Sequence, residues 1–162
     1  MLTRTGLDQE RGVLMDEQVE LGLARAREAG ASYVDVRIVR RERETIEVKN
    51  GAVDNVSSVD TQGVGIRVIA EGAWGFASSA RLDKQEILRV AEQAVRVARA
   101  SATTKKKGRE VTLSPVKPVR AEHHSPCEKD PFAIGLEKKV ALLLSADRLM
   151  RQTPEVRVTQ GT

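Results

Sequence analysis

Residues 46–56 read Ile46-Glu47-Val48-Lys49-Asn50-Gly51-Ala52-Val53-Asp54-Asn55-Val56. Apolar Ile46 and Val48 alternate with charged Glu47 and Lys49, the period of two that a half-buried strand requires. Asn50-Gly51 then supplies two residues that tolerate positive φ, which a tight hairpin turn needs. A strand returning through Val53 and Val56 is therefore predicted.

Towards the amino end the same period recurs. Val34, Val36 and Ile38 alternate with Asp35 and Arg37, giving an earlier strand. Before it, Asp16 to Ala29 reads as a helix, with Asp16 as its cap, Val19, Leu23 and Ala26 on one face, and Gly30 as its stop. Towards the carboxyl end, Val64, Ile66 and Val68 give a further strand, Glu71-Gly72 its turn, and Trp74 and Phe76 alternate on the way back. These segments make an antiparallel meander of five strands.

Asp83 opens a second helix, with Glu86 three residues on as in a capping box. Ile87, Val90, Ala91, Ala94, Val95 and Ala98 fall at three- and four-residue spacings and make one face apolar, while Arg89, Arg96 and Arg99 lie mostly on the other side. Composition shifts at Thr103. Lys105, Lys106, Lys107 and Gly108, followed by Pro115, Pro118, Pro126 and Pro131, mark a connecting segment. Asp130-Pro131 reads as the cap and first residue of a third helix whose apolar face is Leu136, Val140, Leu143 and Leu144. Val156 and Val158, with Arg157 and Thr159 alternating, begin a last strand that is expected to find no partner before Thr162. The fold expected is α+β: helix, antiparallel five-strand meander, helix, linker, helix. Its parts are a helix-flanked sheet domain over 1–102, a Pro/Lys-rich linker over 103–129, and over 130–162 a helix plus a strand that belongs to a following part.

Composition narrows the function classes. The chain has 162 residues, 40% hydrophobic and 31% charged, as globular proteins do. Only 2% are aromatic, so Val, Leu, Ile and Ala must build the core. The net charge of +4 sets 27 Lys and Arg against 23 Asp and Glu. Such mixing favours a solvated surface over a nucleic-acid footprint, and few aromatics are available to stack on bases. Cys127 is the one cysteine, so no disulfide can form within the chain. The start, Met1-Leu2-Thr3-Arg4-Thr5-Gly6, lacks the apolar core of a secretory signal, and no apolar run approaches the ~20 residues that span a bilayer. A cytoplasmic location without membrane contact is expected.

The candidate chemistry is sparse. A hydrolytic zinc site takes three protein ligands and an open position for water. The histidines are the neighbours His123 and His124, with no Glu at the spacing of a His-Glu-x-x-His helix. His123, His124 and Cys127 therefore read as a polar loop. Gly63-Val64-Gly65 lacks the third glycine and the helix of a phosphate loop, and reads as close backbone approach in a strand. Ser78 and Ser79 lack a nucleophile elbow and read as a strand end. Lys105 to Lys107 reads as solvated loop. Trp74 and Phe76 share one strand face and are expected to anchor the core, the alternative being a peptide- or subunit-facing patch. No catalytic, cofactor-binding or metal residue is assigned.

The order of several segments resembles a known family. Ala29-Gly30-Ala31-Ser32-Tyr33-Val34-Asp35-Val36-Arg37 runs into Glu47-Val48-Lys49-Asn50-Gly51. Gly63-Val64-Gly65-Ile66-Arg67-Val68, Gly72-Ala73-Trp74-Gly75-Phe76-Ala77-Ser78, Asp130-Pro131-Phe132 and Ala146-Asp147-Arg148 follow. From about residue 15 to the end, this series resembles the amino-terminal region of the TldD/PmbA family, also called modulators of DNA gyrase. The resemblance implies intracellular zinc metallopeptidases that act on unfolded peptides, as dimers or as paired TldD-like and PmbA-like subunits. It also implies that the zinc ligands, a His-Glu-x-x-x-His helix and a later Cys in TldD-type members, lie downstream of the matched region. Nothing in this sequence matches that motif, so zinc is expected in the full-length family protein and not in this chain. The expected role is to shape a substrate cavity or a subunit interface, with the chain as a fragment that is inactive alone. Its partners would be itself or a TldD/PmbA-like subunit. The alternative is a stand-alone partner- or nucleic-acid-binding module.

Overall fold

The structure is a computed structural model that describes residues 4–104, 108–115, 117–123 and 125–162, with side chains described from Met15 onward. Its elements run α1 (Arg4–Glu28), β1 (Tyr33–Lys49), β2 (Ala52–Ala70), β3 (Ala73–Ser79), α2 (Lys84–Thr104), a 3₁₀ turn (Pro131–Ala133), α3 (Leu136–Met150) and β4 (Gln160–Gly161). The architecture is α+β with one antiparallel sheet in the order β3-β2-β1-β4.

The sheet has four strands, not five. The expected strands at 34–38 and 46–48 are one continuous β1, and those at 53–56 and 64–68 are one continuous β2. The physical reason is turn chemistry. Reversal occurs where paired residues take positive φ, at Asn50 (49°) with Gly51 (83°) and at Glu71 (52°) with Gly72 (69°). Residues 39–45 are charged or β-branched and hold no Gly, Pro, Asn or Asp, so nothing turns the chain there and the strand runs on. The fourth strand comes from the carboxyl end. Val156 and Val158 lie outside it, and Gln160 and Gly161 pair with Lys49 and Val48. The last strand therefore has a partner in its own chain, against expectation.

The chain forms two compact units, Met1–Arg41 with Thr61–Val116 and Glu42–Asp60 with Lys117–Thr162. In the first, α2 lays Ile87, Val90, Ala91, Ala94, Val95 and Ala98 against Val64, Ile66, Val68 and Ala70 of β2, with Ala26 from α1. All eleven of these side chains are buried. Each Val or Ile so buried contributes about 1.5–3 kcal/mol, which makes this face the main source of the unit's stability. Asp83 caps α2 as expected: its Oδ1 accepts the Glu86 backbone N–H at 3.1 Å. Gly75 sits where α2 crosses β3. A Cβ there would lie 2.1 Å from the Ala94 carbonyl oxygen.

α1 begins twelve residues before the expected start, so Asp16 is interior to it and not its cap. Gly30 ends the helical segment at φ +99°, as predicted. Arg99 of α2 then donates from Nη2 to the Ala29 carbonyl at 2.7 Å, supplying the freed helix end with a cationic donor.

The second unit is held by a buried polar node. Asp147 of α3 is 1% exposed and accepts from the Thr159 hydroxyl and from Arg151 Nε at 2.9 Å. A further hydrogen bond from the Gly51 backbone ties it to the hairpin turn. These donors, the Thr159 hydroxyl first, hold the carboxyl below the ordinary aspartate range despite burial. Asn50 closes the ring, its N–H donating to the Thr159 carbonyl at 3.1 Å and its Oδ1 accepting the Thr159 N–H at 3.0 Å.

The third helix also differs at its start. Asp130 caps the 3₁₀ turn by accepting Phe132 N–H at 2.9 Å, and α3 begins after Gly135. Pro131 thus opens a separate turn rather than α3. Val140, Leu143 and Leu144 are half-buried as its inner face, whereas Leu136 is exposed. Among the described residues of 108–129 there is no helix or strand, and Val111 N–H donates to the Gly72 carbonyl at 2.9 Å.

Candidate functional site

In the first unit, strand parity assigns the two faces of the sheet. The even positions of β2 from Val64 to Ala70 face the helices and are buried, so the odd positions between them face away, where Ile69 is also buried. Register places Ile69 opposite Trp74 and Arg67 opposite Phe76. Trp74 and Phe76 therefore lie on the face opposite α1 and α2, at 37% and 57% exposed. The expectation that they anchor the core is overturned. The cause is packing at Gly75: the helix-facing positions of β3 are Ala73, Gly75 and Ala77, small enough for α2 to approach.

On the outer face these aromatics form an ordered group. Tyr33 meets Trp74 edge to face, with centroids 5.8 Å apart and planes at 88°. Arg67 places its guanidinium carbon 5.1 Å from the Trp74 ring centroid. Its Nη2 bonds Asp35 Oδ2 at 2.6 Å, and that bond raises the guanidinium pKa above its ordinary value. The cation is thus oriented by a carboxylate and an indole together, favourable by about 0.5–1 kcal/mol for the ring contact at such exposure. Phe76 lies over Gly65, where a Cβ would stand 3.1 Å from the Phe76 ring. A side chain at Gly65 would lift the ring, so this glycine permits a flat aromatic surface. Such a face, apolar with a rim of charge, has the composition of an interface core.

The remaining residues singled out in the sequence do not converge. Gly63 marks close approach, as read from sequence: a Cβ there would lie 3.0 Å from the Ser79 carbonyl oxygen. Ser79 serves its own chain end. Its Oγ accepts the Arg81 N–H at 3.2 Å, and it hydrogen-bonds Glu86. Glu86 is held down to about 2, first by its hydrogen bond with Arg89 and then by Ser79. His123 is exposed in coil, and Cys127 is exposed with its thiol donating to the Lys129 carbonyl. His124 and Lys105 to Lys107 lie outside the described residues. Among the described residues no helix is long and apolar enough to cross a membrane.

Comparison with known proteins places this geometry. Residues 34–98 match the PmbA/TldA metallopeptidase domain 1. The chain is 27% identical over 118 residues to metalloprotease MJ0996 of Methanocaldococcus jannaschii, covering 73% of this chain and 26% of that protein. It is 29% identical over 126 residues to metalloprotease slr0863 of Synechocystis, covering 77% and 26%. The chain thus spans about a quarter of the length of the curated relatives it matches. In fold it is similar to a candidate modulator of DNA gyrase from Thermotoga maritima, with a TM-score of 0.62 at 16% identity over 90% of this chain and 35% of that one. TldE from Thermococcus kodakarensis gives a TM-score of 0.52 at 20% identity, covering 83% and 29%.

A metallopeptidase name implies a metal ion, and the described residues do not fit one. Among the described residues no group of three or more His, Cys, Asp or Glu side chains is placed to hold it. The buried carboxylate Asp147 is already engaged by Thr159 and Arg151. No catalytic step through a metal follows from these side chains. Residues 34–98 are thus similar to the first domain of the PmbA/TldA metallopeptidases, the family that the ordered segments resemble.

Proposed function

We propose that this chain is the amino-terminal, non-catalytic part of a metallopeptidase-type protein of the TldD/PmbA family, and that it serves as an interface domain. Its outer sheet face would pack on a second copy, on a TldD/PmbA-like subunit, or on the part of such a protein that bears the zinc ligands. In that role it would wall a cavity for unfolded peptides.

The observation that supports this reading is the outward Trp74, at 37% exposed, with Phe76, at 57%, on a chain that is only 2% aromatic. Large aromatics are enriched in interface cores, and an isolated domain gains nothing by turning them to water. The test is a sedimentation series on the parent chain and on a Trp74→Ser, Phe76→Ser double variant, alone and co-expressed with a zinc-motif-bearing TldD-like protein. Association that the parent shows and the variant loses, with unchanged circular dichroism, supports the reading. Equal association by both would refute it.

A further inference from the structure

We infer that Asn50-Gly51 is a covalent modification site: a deamidation-prone pair that the Asp147–Thr159 node holds unreacted, and that reacts once the segment through Thr159 leaves the hairpin. This inference lies within the second unit and does not depend on the reading of the outer aromatic face.

The chemistry belongs to the pair. The Gly51 backbone nitrogen attacks the Asn50 side-chain carbonyl carbon and gives up its proton, and the side-chain nitrogen departs as ammonia. The product is a five-membered succinimide ring. Water then opens one of the two bonds from the ring nitrogen to carbonyl carbon. Opening on the side-chain side leaves aspartate. Opening on the main-chain side leaves isoaspartate, whose backbone runs through the former side chain. The sum exchanges an amide and water for a carboxylic acid and ammonia, so water is the sole co-reactant. Glycine hinders the attacking nitrogen least, since it carries no side chain. Asn50 and Gly51 are both exposed, so water reaches them. Asn55, by contrast, is followed by Val56, whose branched side chain crowds the corresponding nitrogen.

The folded turn opposes ring closure at each reacting group. Positive φ at Asn50 (49°) and Gly51 (83°) marks the mirror-image hairpin turn. In that turn the ψ of the first residue sets the next nitrogen far from its Cβ, whereas closure needs the two eclipsed. The Gly51 N–H, whose proton must be lost, donates to the Asp147 carboxylate. The donors around Asp147, the Thr159 hydroxyl first, hold it below the ordinary aspartate range, so it stays ionised and accepts this bond without being a strong base. The Asn50 Oδ1 accepts the Thr159 N–H at 3.0 Å, which fixes the side-chain amide on the Thr159 backbone. Arg151 covers the turn: a Cβ on Gly51 would lie 2.5 Å from its Nη2 and 2.8 Å from its Cζ. The same guanidinium donates from Nε to Asp147 at 2.9 Å. One node thus restrains the nucleophile, the electrophile and the turn between them.

Few backbone bonds hold the node to the hairpin. β4 has two residues, Gln160 and Gly161, and Glu155 to Val158 before it are exposed. Segments of this kind open locally at less cost than a core. When this one opens, Asp147 loses the Thr159 hydroxyl and Asn50 loses both of its Thr159 bonds. The turn is then free to reach the closure geometry. The reaction is one-way, so Asn50 keeps a record of the opening. Isoaspartate also lengthens a two-residue turn by one backbone carbon, which undoes the geometry that sets hairpin register.

The test is deamidation of the whole chain at mildly alkaline pH, read by the mass of the tryptic peptide that begins at Asn50, with amide hydrogen exchange by NMR in parallel. The folded parent should modify Asn50 about tenfold or more slowly than the same chain in urea, as expected of a site that reacts only through local opening. Thr159→Val should raise the folded rate, and the rise should match the loss of protection at the Gly51 amide while the α2 amides stay protected. Asp147→Ala should raise the rate further; where that variant loses its fold, Thr159→Val alone decides. Equal rates in the folded parent and in urea, a Thr159→Val chain that reacts as slowly as the parent, or modification of Asn55 ahead of Asn50 would overturn the inference. A Trp74→Ser, Phe76→Ser variant should react as the parent does, which separates this outcome from that of the interface reading.

Discussion

Replacing Gly75 with alanine should be among the most damaging single changes in the molecule, though it adds one methyl group. The added Cβ would lie 2.1 Å from the Ala94 carbonyl oxygen, 2.5 Å from the Ala98 backbone nitrogen and 2.8 Å from the Ala98 Cβ. Ordinary contact begins at 3.4 Å, so relief of the first clash alone demands a retreat of about 1.3 Å. Two of the three atoms are backbone, and no rotamer change can move them. The whole of α2 must therefore shift, and with it the packing of Ile87, Val90 and Val95 on β2. Overpacking typically costs 1–3 kcal/mol, and a displaced helix puts this case at about 3 kcal/mol or more. For a chain of 162 residues that corresponds to a fall in melting temperature of about 6–12 °C. Ala98→Gly in the same chain should recover little, since it removes only the third contact. Gly135→Ala serves as control: nothing lies within 4 Å of its Cβ position, and it should shift stability by less than about 1 kcal/mol. Thermal and urea melts of the three variants make the comparison. A Gly75→Ala chain that melts with the parent would refute the packing of α2 on β3 described here.

Other consequences are as direct. Ile66→Ala empties a site that is 0% exposed and should cost about 2–5 kcal/mol, whereas Val53→Ala, at a site 45% exposed, should stay within about 0.5 kcal/mol by urea unfolding. Glu86 is held at about 2 against an ordinary 4.5, and Asp83 is lowered in the same direction. Depressed carboxylates stabilise the folded state above their ordinary values and lose that contribution as pH falls through the folded ones. The gap in urea midpoint between the parent and Glu86→Gln should be constant above about pH 5 and close between about pH 4.5 and 2; a gap that widens in acid would contradict this. Thr159→Val removes a donor from buried Asp147 and the hydroxyl that joins α3 to the carboxyl end, and should speed exchange of the Asn50 amide without affecting that of the α2 amides.

Much of this fold is legible in the sequence, for identifiable reasons. α2 declares itself through Asp83 with Glu86 and through six apolar residues at helical spacing, all of which are buried. Both hairpin turns are marked by residues that accept positive φ. The strand count is not legible from hydropathy, because 39–45 looks like an interruption when it is only poor in apolar residues. A strand ends where the chain can turn, and polarity alone does not turn it. The outward aromatics are half legible. Alternation puts Trp74 and Phe76 on one face but does not say which, while Ala73, Gly75 and Ala77 between them carry the missing signal: small residues mark the side on which a helix packs. The Asp147–Thr159–Asn50 node is not legible, because its partners are joined only by the folded chain: Asn50 reads as a turn residue, and Asp147 and Thr159 read as ordinary surface residues. The pairing of β4 with β1 is hidden for the same reason.

The central proposal is that this chain, whose residues 34–98 match the first domain of a metallopeptidase family, does not itself carry out that family's chemistry. The most direct measurement is metal analysis of the purified chain after zinc loading and desalting, together with a peptidase assay on an unfolded peptide with and without chelator. The account predicts no stoichiometric zinc and no cleavage. One tightly bound zinc per chain with chelator-sensitive cleavage would contradict it.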